Sequence, residues 1–241
     1  MLLLPSGAAL ADDIKVLGGS AVITVADVLI PRFERASGHK VTADLDGAIG
    51  AMAKRVEAGE PADALIASRA QLESLAKAGK VEGDSIADLA KLGIGVFVRK
   101  GAPRPDISSV ESFKRSMLAA KSIGYNDPAA GAPVGLYLIG AFDKLGIGEA
   151  MTGKTVVFKR RSERFAPVAR GEVEIGFNQI SEIVVVPDID LAGPLPESIQ
   201  NYTRFAAGVL AGSRRSEAAR RFVAFVTSAE SRAVLRQKGF Q

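Results

Sequence analysis

Residues 14–47 read IKVLGGSAVITVADVLIPRFERASGHKVTADLDG, and this stretch decides the fold. IKVLG (14–18) is a short apolar run of the kind buried in a sheet, and a helical pattern follows over 21–36. Pro31 is expected to start a turn or kink that helix, and Ser37-Gly38 ends it. VTADL (41–45) is then a second strand. Strand, helix and strand with short links specify a parallel sheet covered on both faces. The theme continues with a helix over 48–58 stopped by Gly59, the strand DALIA (63–67), and a helix over 70–78 stopped by Gly79.

IGVFVRKG (94–101) opens the middle third of the chain. There a helix over 110–120, SIGYN (122–126), a helix over 134–145, TVVFKR (155–160), a helix over 163–170 and VEIGFNQ (173–179) repeat the alternation. Pro187, Pro194 and Pro196 punctuate an irregular stretch before TRFAAGVLAG (203–212), a strand placed to rejoin the first sheet. A terminal helix is expected over 216–238, with Ser213 or Ser216 near its cap and Gly239 ending it. The simplest α/β architecture is two lobes, each a mostly parallel sheet flanked by helices. The first lobe is discontinuous, 12–96 plus 207–241; the second is 97–206. Two crossings leave a cleft between the lobes, where ligands favour the carboxyl ends of strands.

The chain has 241 residues, 47% hydrophobic and 24% charged, enough to bury a core in one large domain or two modest ones. It has no Cys, which excludes a disulfide framework, a thiolate metal site, a cysteine nucleophile and a lipid-bearing N-terminal Cys. Its one His, His39, argues against a histidine metal site or a Ser-His-Asp triad, and its place in a helix-to-strand turn reads as surface. No cofactor or metal is implied. The net charge is +4, the aromatic content 6% and Trp absent, a poor match to nucleic-acid binding, which wants a basic stripe with stacking rings. Residues 1–11, MLLLPSGAALA, read as the tail of a secretory signal cut near Ala11, which places the chain in the periplasm without a lipid anchor.

Five strand ends carry groups able to hold a small anion. Gly18-Gly19-Ser20-Ala21 leads from the first strand into a helix start, where backbone N–H groups and a hydroxyl converge. Asp46-Gly47-Ala48-Ile49-Gly50 repeats the arrangement after the second strand. In the other lobe, 126–134 ends a strand and begins a helix, with Ala132, Pro133 and Val134 at its start and Asp127 as a turn residue. Arg160-Arg161-Ser162 can set a guanidinium fork against a carboxylate or phosphate. Asn178-Gln179 adds neutral amides. Each of these also has an ordinary reading, as a cap, a turn or a solvated arginine. Their coincidence in one place is the argument.

Three stretches carry a family resemblance: VEAGEPAD (56–63), ARGEVEIG (169–176) and SAESRAVL (228–235), the last with the ending Gly239-Phe240. They resemble the extracellular solute-binding proteins of ABC importers, in particular the molybdate-binding protein-like branch, over nearly all of 12–241. The resemblance implies a type 2 periplasmic-binding-protein fold, a small anionic ligand, a permease partner in the inner membrane and a monomer. In molybdate binders of this type the oxyanion is held by two serine loops, backbone N–H groups and a tyrosine. Here Ser20 falls one residue from the first family serine, the second loop has no hydroxyl, and Gln179 stands where the tyrosine is expected. Arg161 lies about where a family backbone donor sits. These departures point from molybdate and tungstate toward an organic anion with carboxylates. Proteins of this type also resemble aconitate isomerase, and that alternative needs a base in the cleft, for which Asp46, Asp127 and Glu182 are the nearest carboxylates. A sensor-domain relative presenting its ligand to a receptor is a third alternative.

Overall fold

The computed structural model describes residues 12–130, 132–159 and 163–241. The expected signal segment 1–11, Arg160 and Arg161 lie outside the described residues. The chain begins with β1 (Asp13–Gly18), α1 (Ile23–Ser37), β2 (Lys40–Asp44), α2 (Ile49–Glu57), β3 (Ala64–Ser68), α3 (Arg69–Lys77) and β4 (Ala87–Leu92). Next come β5 (Ile94–Arg99), α4 (Val110–Ala119), β6 (Ile123–Asn126), α5 (Pro133–Lys144) and α6 (Gly148–Thr152). They are followed by β7 (Thr155–Phe158), α7 (Ala166–Ala169), β8 (Ile175–Gln179), α8 (Ile180–Ile183) and β9 (Ile189–Pro194). β10 (Thr203–Val209), α9 (Ser216–Val226) and α10 (Ala229–Gln237) finish it.

The strands form two sheets, ordered β2-β1-β3-β10-β4 and β7-β6-β8-β5-β9. β1 pairs in parallel with β2 and β3, and β6 does the same with β7 and β8. β10 is antiparallel to both β3 and β4, and β5 is antiparallel to both β8 and β9. The sheets are therefore mixed, and the cause is the double crossing. Parallel strands run toward the cleft and end there. A strand arriving from the opposite lobe starts at the cleft and must run the other way. The chain changes sheets between Leu92 and Ile94 and returns between Pro194 and Thr203.

Both faces of each sheet are covered, which explains why β3 is apolar from Ala64 to Ala67 and why all five residues of β8 are buried. One face of the first sheet packs on α1, α9 and α10, with Phe33 edge-on to Phe222 at 5.3 Å between ring centres. Its other face buries Leu17, Leu65 and Ala206 against Met52, Val56 and Leu72 of α2 and α3. The second sheet buries Phe113, Phe142 and Phe177 on one side and Phe97, Phe158 and Val168 on the other. Gly176 is there because a Cβ would lie 2.1 Å from the Phe97 ring.

The two crossings are fastened together. The Gln200 Oε1 accepts the Ile94 N–H at 2.8 Å and its Nε2 donates to the Ile94 carbonyl at 3.0 Å. Ser181 of α8 donates to the Ala21 carbonyl at 2.9 Å, a second tie across the lobes.

Several expectations need correcting. No turn starts at Pro31: α1 continues through it to Ser37 and is capped by Gly38, whose φ of 78° is the left-handed conformation that glycine permits. The terminal helix is two helices, because Ser228 turns its hydroxyl on the Ser231 N–H (3.2 Å) and starts α10 afresh. The helix expected over 163–170 shrinks to α7. β4 and β9 were not expected. β4 carries charges on an edge, and β9 ends at Pro194, where a missing N–H costs nothing. His39 is not on the surface: it is 4% exposed, its ring lies along Phe33, and its Nδ1 accepts the Asp12 N–H at 3.1 Å.

Candidate functional site

The carboxyl ends of β1, β2, β6, β7 and β8 converge on a cavity of about 260 Å³ between the two sheets. Of the residues singled out from the sequence, Gly19, Ser20, Ala21, Ala48, Ile49, Ala132, Val134, Asn178 and Gln179 line it. Gly50 does not line it, although its neighbour Ala51 does, because successive residues at a helix start point in different directions. Among the carboxylates, Asp127 and Glu182 line the cavity and Asp46 does not.

The first-lobe wall is two loops pressed together. Gly19 carries no side chain because a Cβ would sit 2.3 Å from Ile49 Cγ2. The Ser20 N–H donates to the Gly47 carbonyl at 2.9 Å, which fixes the register of the loops. α2 starts at Ile49 with Ala48 as its cap, and Ala48 supplies no side-chain acceptor to its first turn. The Ala51 N–H already closes on the Ala48 carbonyl at 2.9 Å, while the N–H groups of Ile49 and Gly50 precede the first helical bond and lie at the positive end of the helix dipole.

On the second lobe, α5 begins with Pro133 behind Ala132, again without a side-chain cap. Asp127 is the turn residue expected: its Oδ1 accepts the Ala129 N–H at 2.9 Å. Gly135 lets α5 approach β6 closely, since a Cβ would lie 2.3 Å from the Asn126 carbonyl oxygen.

Ser20 does more than face the cavity. Its hydroxyl donates to Glu182 Oε1 at 2.8 Å and accepts from Arg164 Nη1 at 2.9 Å. Arg164 and Glu182 also pair directly at 2.7 Å, with side chains only 16% and 13% exposed. A first-lobe hydroxyl thus sits on a second-lobe ion pair. The sequence singles out Arg160-Arg161, directly after the strand, and not Arg164. The signal was the length of the cluster, which runs on to Arg164.

Two amides complete the wall. Asn178 is 1% exposed; its Oδ1 accepts the Gln179 N–H at 2.8 Å and faces Asn126 Nδ2 at 3.4 Å. Asn178 Nδ2, Asn126 Oδ1 and Gln179 Oε1 are buried with no hydrogen-bond partner among the described residues. Orphaned polar atoms of this kind are costly in a folded protein unless something else fills them. Lys159 and Arg164 bring positive charge, Asp127 and Glu182 negative. The arrangement offers an anion neutral donors and guanidinium N–H groups.

The family model for bacterial extracellular solute-binding proteins matches residues 14–241. This chain belongs to that family. Among curated proteins of known activity, an aconitate isomerase from Pseudomonas sp is 30% identical over 232 residues, covering 95% of this chain and 87% of that protein. The periplasmic molybdate-binding protein of Azotobacter vinelandii superposes with a TM-score of 0.77 at 17% identity, covering 95% of this chain and 98% of that one. The substrate-binding domain of a putative molybdenum ABC transporter from Clostridium difficile gives 0.76 at 20% identity, covering 96% and 99%. The expected solute-binding family is thus shown, and the likeness to molybdate-binding proteins holds for the fold. Among the described residues, no helix is long and apolar enough to cross a membrane.

Proposed function

We propose that this solute-binding-family chain closes over a small carboxylate-bearing anion in the interlobe cleft and delivers it, in the periplasm, to the permease of an ABC importer. The observation that carries this reading is one cavity lined together by Lys159, Arg164 and the uncapped starts of α2 and α5. The starts of α2 and α5 add N–H groups from opposite sides. Planar carboxylates suit a guanidinium better than a tetrahedral oxyanion suits this donor set, because the second loop has no hydroxyl. Arg160 and Arg161, next along the chain from Lys159, are assigned to the same site from the sequence. Calorimetric titration with molybdate, tungstate, sulfate, citrate, tricarballylate and trans-aconitate tests it. Binding of carboxylates in preference to the oxyanions is expected; tight molybdate binding without carboxylate binding overturns it.

A second reading is favoured by Glu182. Its carboxylate lines the cleft, held by a hydroxyl and a guanidinium, and the 30% identical relative is an aconitate isomerase. In such an enzyme Glu182 takes a proton from a carbon next to a carboxylate, the double bond shifts, and the proton returns at the far end of the allylic unit. Proton NMR of trans-aconitate with the protein in heavy water reads both conversion and exchange. Turnover that Glu182→Gln abolishes establishes the isomerase; no conversion and no exchange sets it aside.

A further inference from the structure

We infer that the ligand of this cleft carries, beside its carboxylates, a hydroxyl or another group that both donates and accepts a hydrogen bond, and presents it to Asn126 and Asn178. The inference rests on the carboxylate-binding reading above and specifies the class of acid.

The argument is one of orientation. Asparagine oxygen and nitrogen must be assigned from their partners. The Gln179 N–H at 2.8 Å can only donate, so the Asn178 atom it meets is the oxygen, and Nδ2 points the other way. The Asn126 atom facing that oxygen at 3.4 Å must then be nitrogen, because a turned amide would set two oxygens together. Within this pair there remain one donor, Asn178 Nδ2, and one acceptor, Asn126 Oδ1, each buried without a partner among the described residues. They come from neighbouring parallel strands: Tyr125 of β6 is in register with Phe177 of β8, which puts the two asparagines at the next rung, at the cavity.

An ionised oxyanion offers acceptors only. It can satisfy Asn178 Nδ2, but it sets negative oxygen against Asn126 Oδ1. An ionised carboxylate has the same defect. A hydroxyl supplies both functions, an acceptor for Asn178 and a donor for Asn126. A site built to hydrogen-bond a hydroxyl rejects the analogue without it, because the buried acceptor is left unpaired.

The test is calorimetry on acid pairs that differ by one hydroxyl: citrate against tricarballylate, malate against succinate, lactate against propionate. In at least one pair the hydroxy acid is expected to bind tenfold or more tightly, and the ratio should shrink toward one in Asn126→Ala. The wild-type ratios stand alone if that variant does not fold. Equal affinities within every pair that binds overturn the inference and leave the carboxylate reading standing. So does trans-aconitate, which has no hydroxyl, binding as tightly as citrate. Failure of every acid to bind overturns the carboxylate reading, and the inference with it.

Discussion

Gly19→Ala tests whether the two first-lobe loops are as closely pressed as described. Gly19 has φ −80° and ψ 157°, a conformation alanine adopts freely, so any cost is steric. The added Cβ would meet Ile49 Cγ2 at 2.3 Å and the Ile49 N and Cα at 3.2 and 3.3 Å. Ordinary carbon contacts need about 3.5–4.0 Å, so Ile49 must retreat by more than ~1 Å. Ile49 is stiff at χ1 and opens α2, so the helix start moves with it. Overpacking of this kind costs about 1–3 kcal/mol. Against it stands about 0.4–1 kcal/mol gained by restricting the unfolded chain. Over most of these ranges the steric cost wins, leaving up to about 2.6 kcal/mol of destabilisation and a fall in Tm of up to about 10 °C for a chain of this size. Thermal unfolding followed by circular dichroism reads it. Gly19→Ala combined with Ile49→Ala should be less destabilised than the sum of the single variants by about 0.5–3 kcal/mol, since the clash is then gone. Were Gly19→Ala to raise Tm, only the unfolded-state effect would be acting, and the close approach would be refuted.

Ser20→Ala removes the hydroxyl from the cross-lobe triad but leaves Arg164 and Glu182 paired at 2.7 Å, so a loss of about 1–2 kcal/mol is expected. Glu182→Ala strands the guanidinium and should cost more; thermal melts showing it no worse than Ser20→Ala contradict the triad. Arg55, and then Lys15, hold the Glu60 carboxyl down at about 2 from its usual 4.5. A lowered carboxyl stabilises the fold above its unfolded value and loses that effect as pH falls through the folded one. The Tm gap between wild type and Glu60→Gln should therefore be full above about pH 4.5 and close toward about pH 2; a gap constant across that window refutes the pairing. Gly176→Ala drives a Cβ to 2.1 Å from the Phe97 ring in the second sheet, and a loss of at least about 1–3 kcal/mol is expected in denaturant unfolding. No loss would mean that the ring has room to move.

The alternation of buried strands and stopped helices over 14–79 was legible because each helix ends on a glycine that the fold puts at positive φ: Gly38, Gly59 and Gly79. β4 and β9 were hidden because edge strands carry charges and prolines, which break the pattern that marks a buried strand. The loops of the cleft were legible as strand ends, and nine of the residues picked from them line the cavity. What they bond to was not. Ser20 reads from the sequence as a cap or a ligand hydroxyl; the partners it has here come from 144 and 162 residues away, and no local pattern reports contacts at that separation. His39 shows the same limit, since its burial depends on a ring contact with Phe33 and on the chain at Asp12.

Gln200 grips Ile94 as a neighbouring strand would, at both the N–H and the carbonyl. Two separate tethers could slide past one another and let the lobes shear. Joined at one residue, they form a single ribbon, which resists sliding more than bending. In the closure proposed above, such a joint would favour rotation over shear and bring Ser20 back onto the same Arg164 and Glu182.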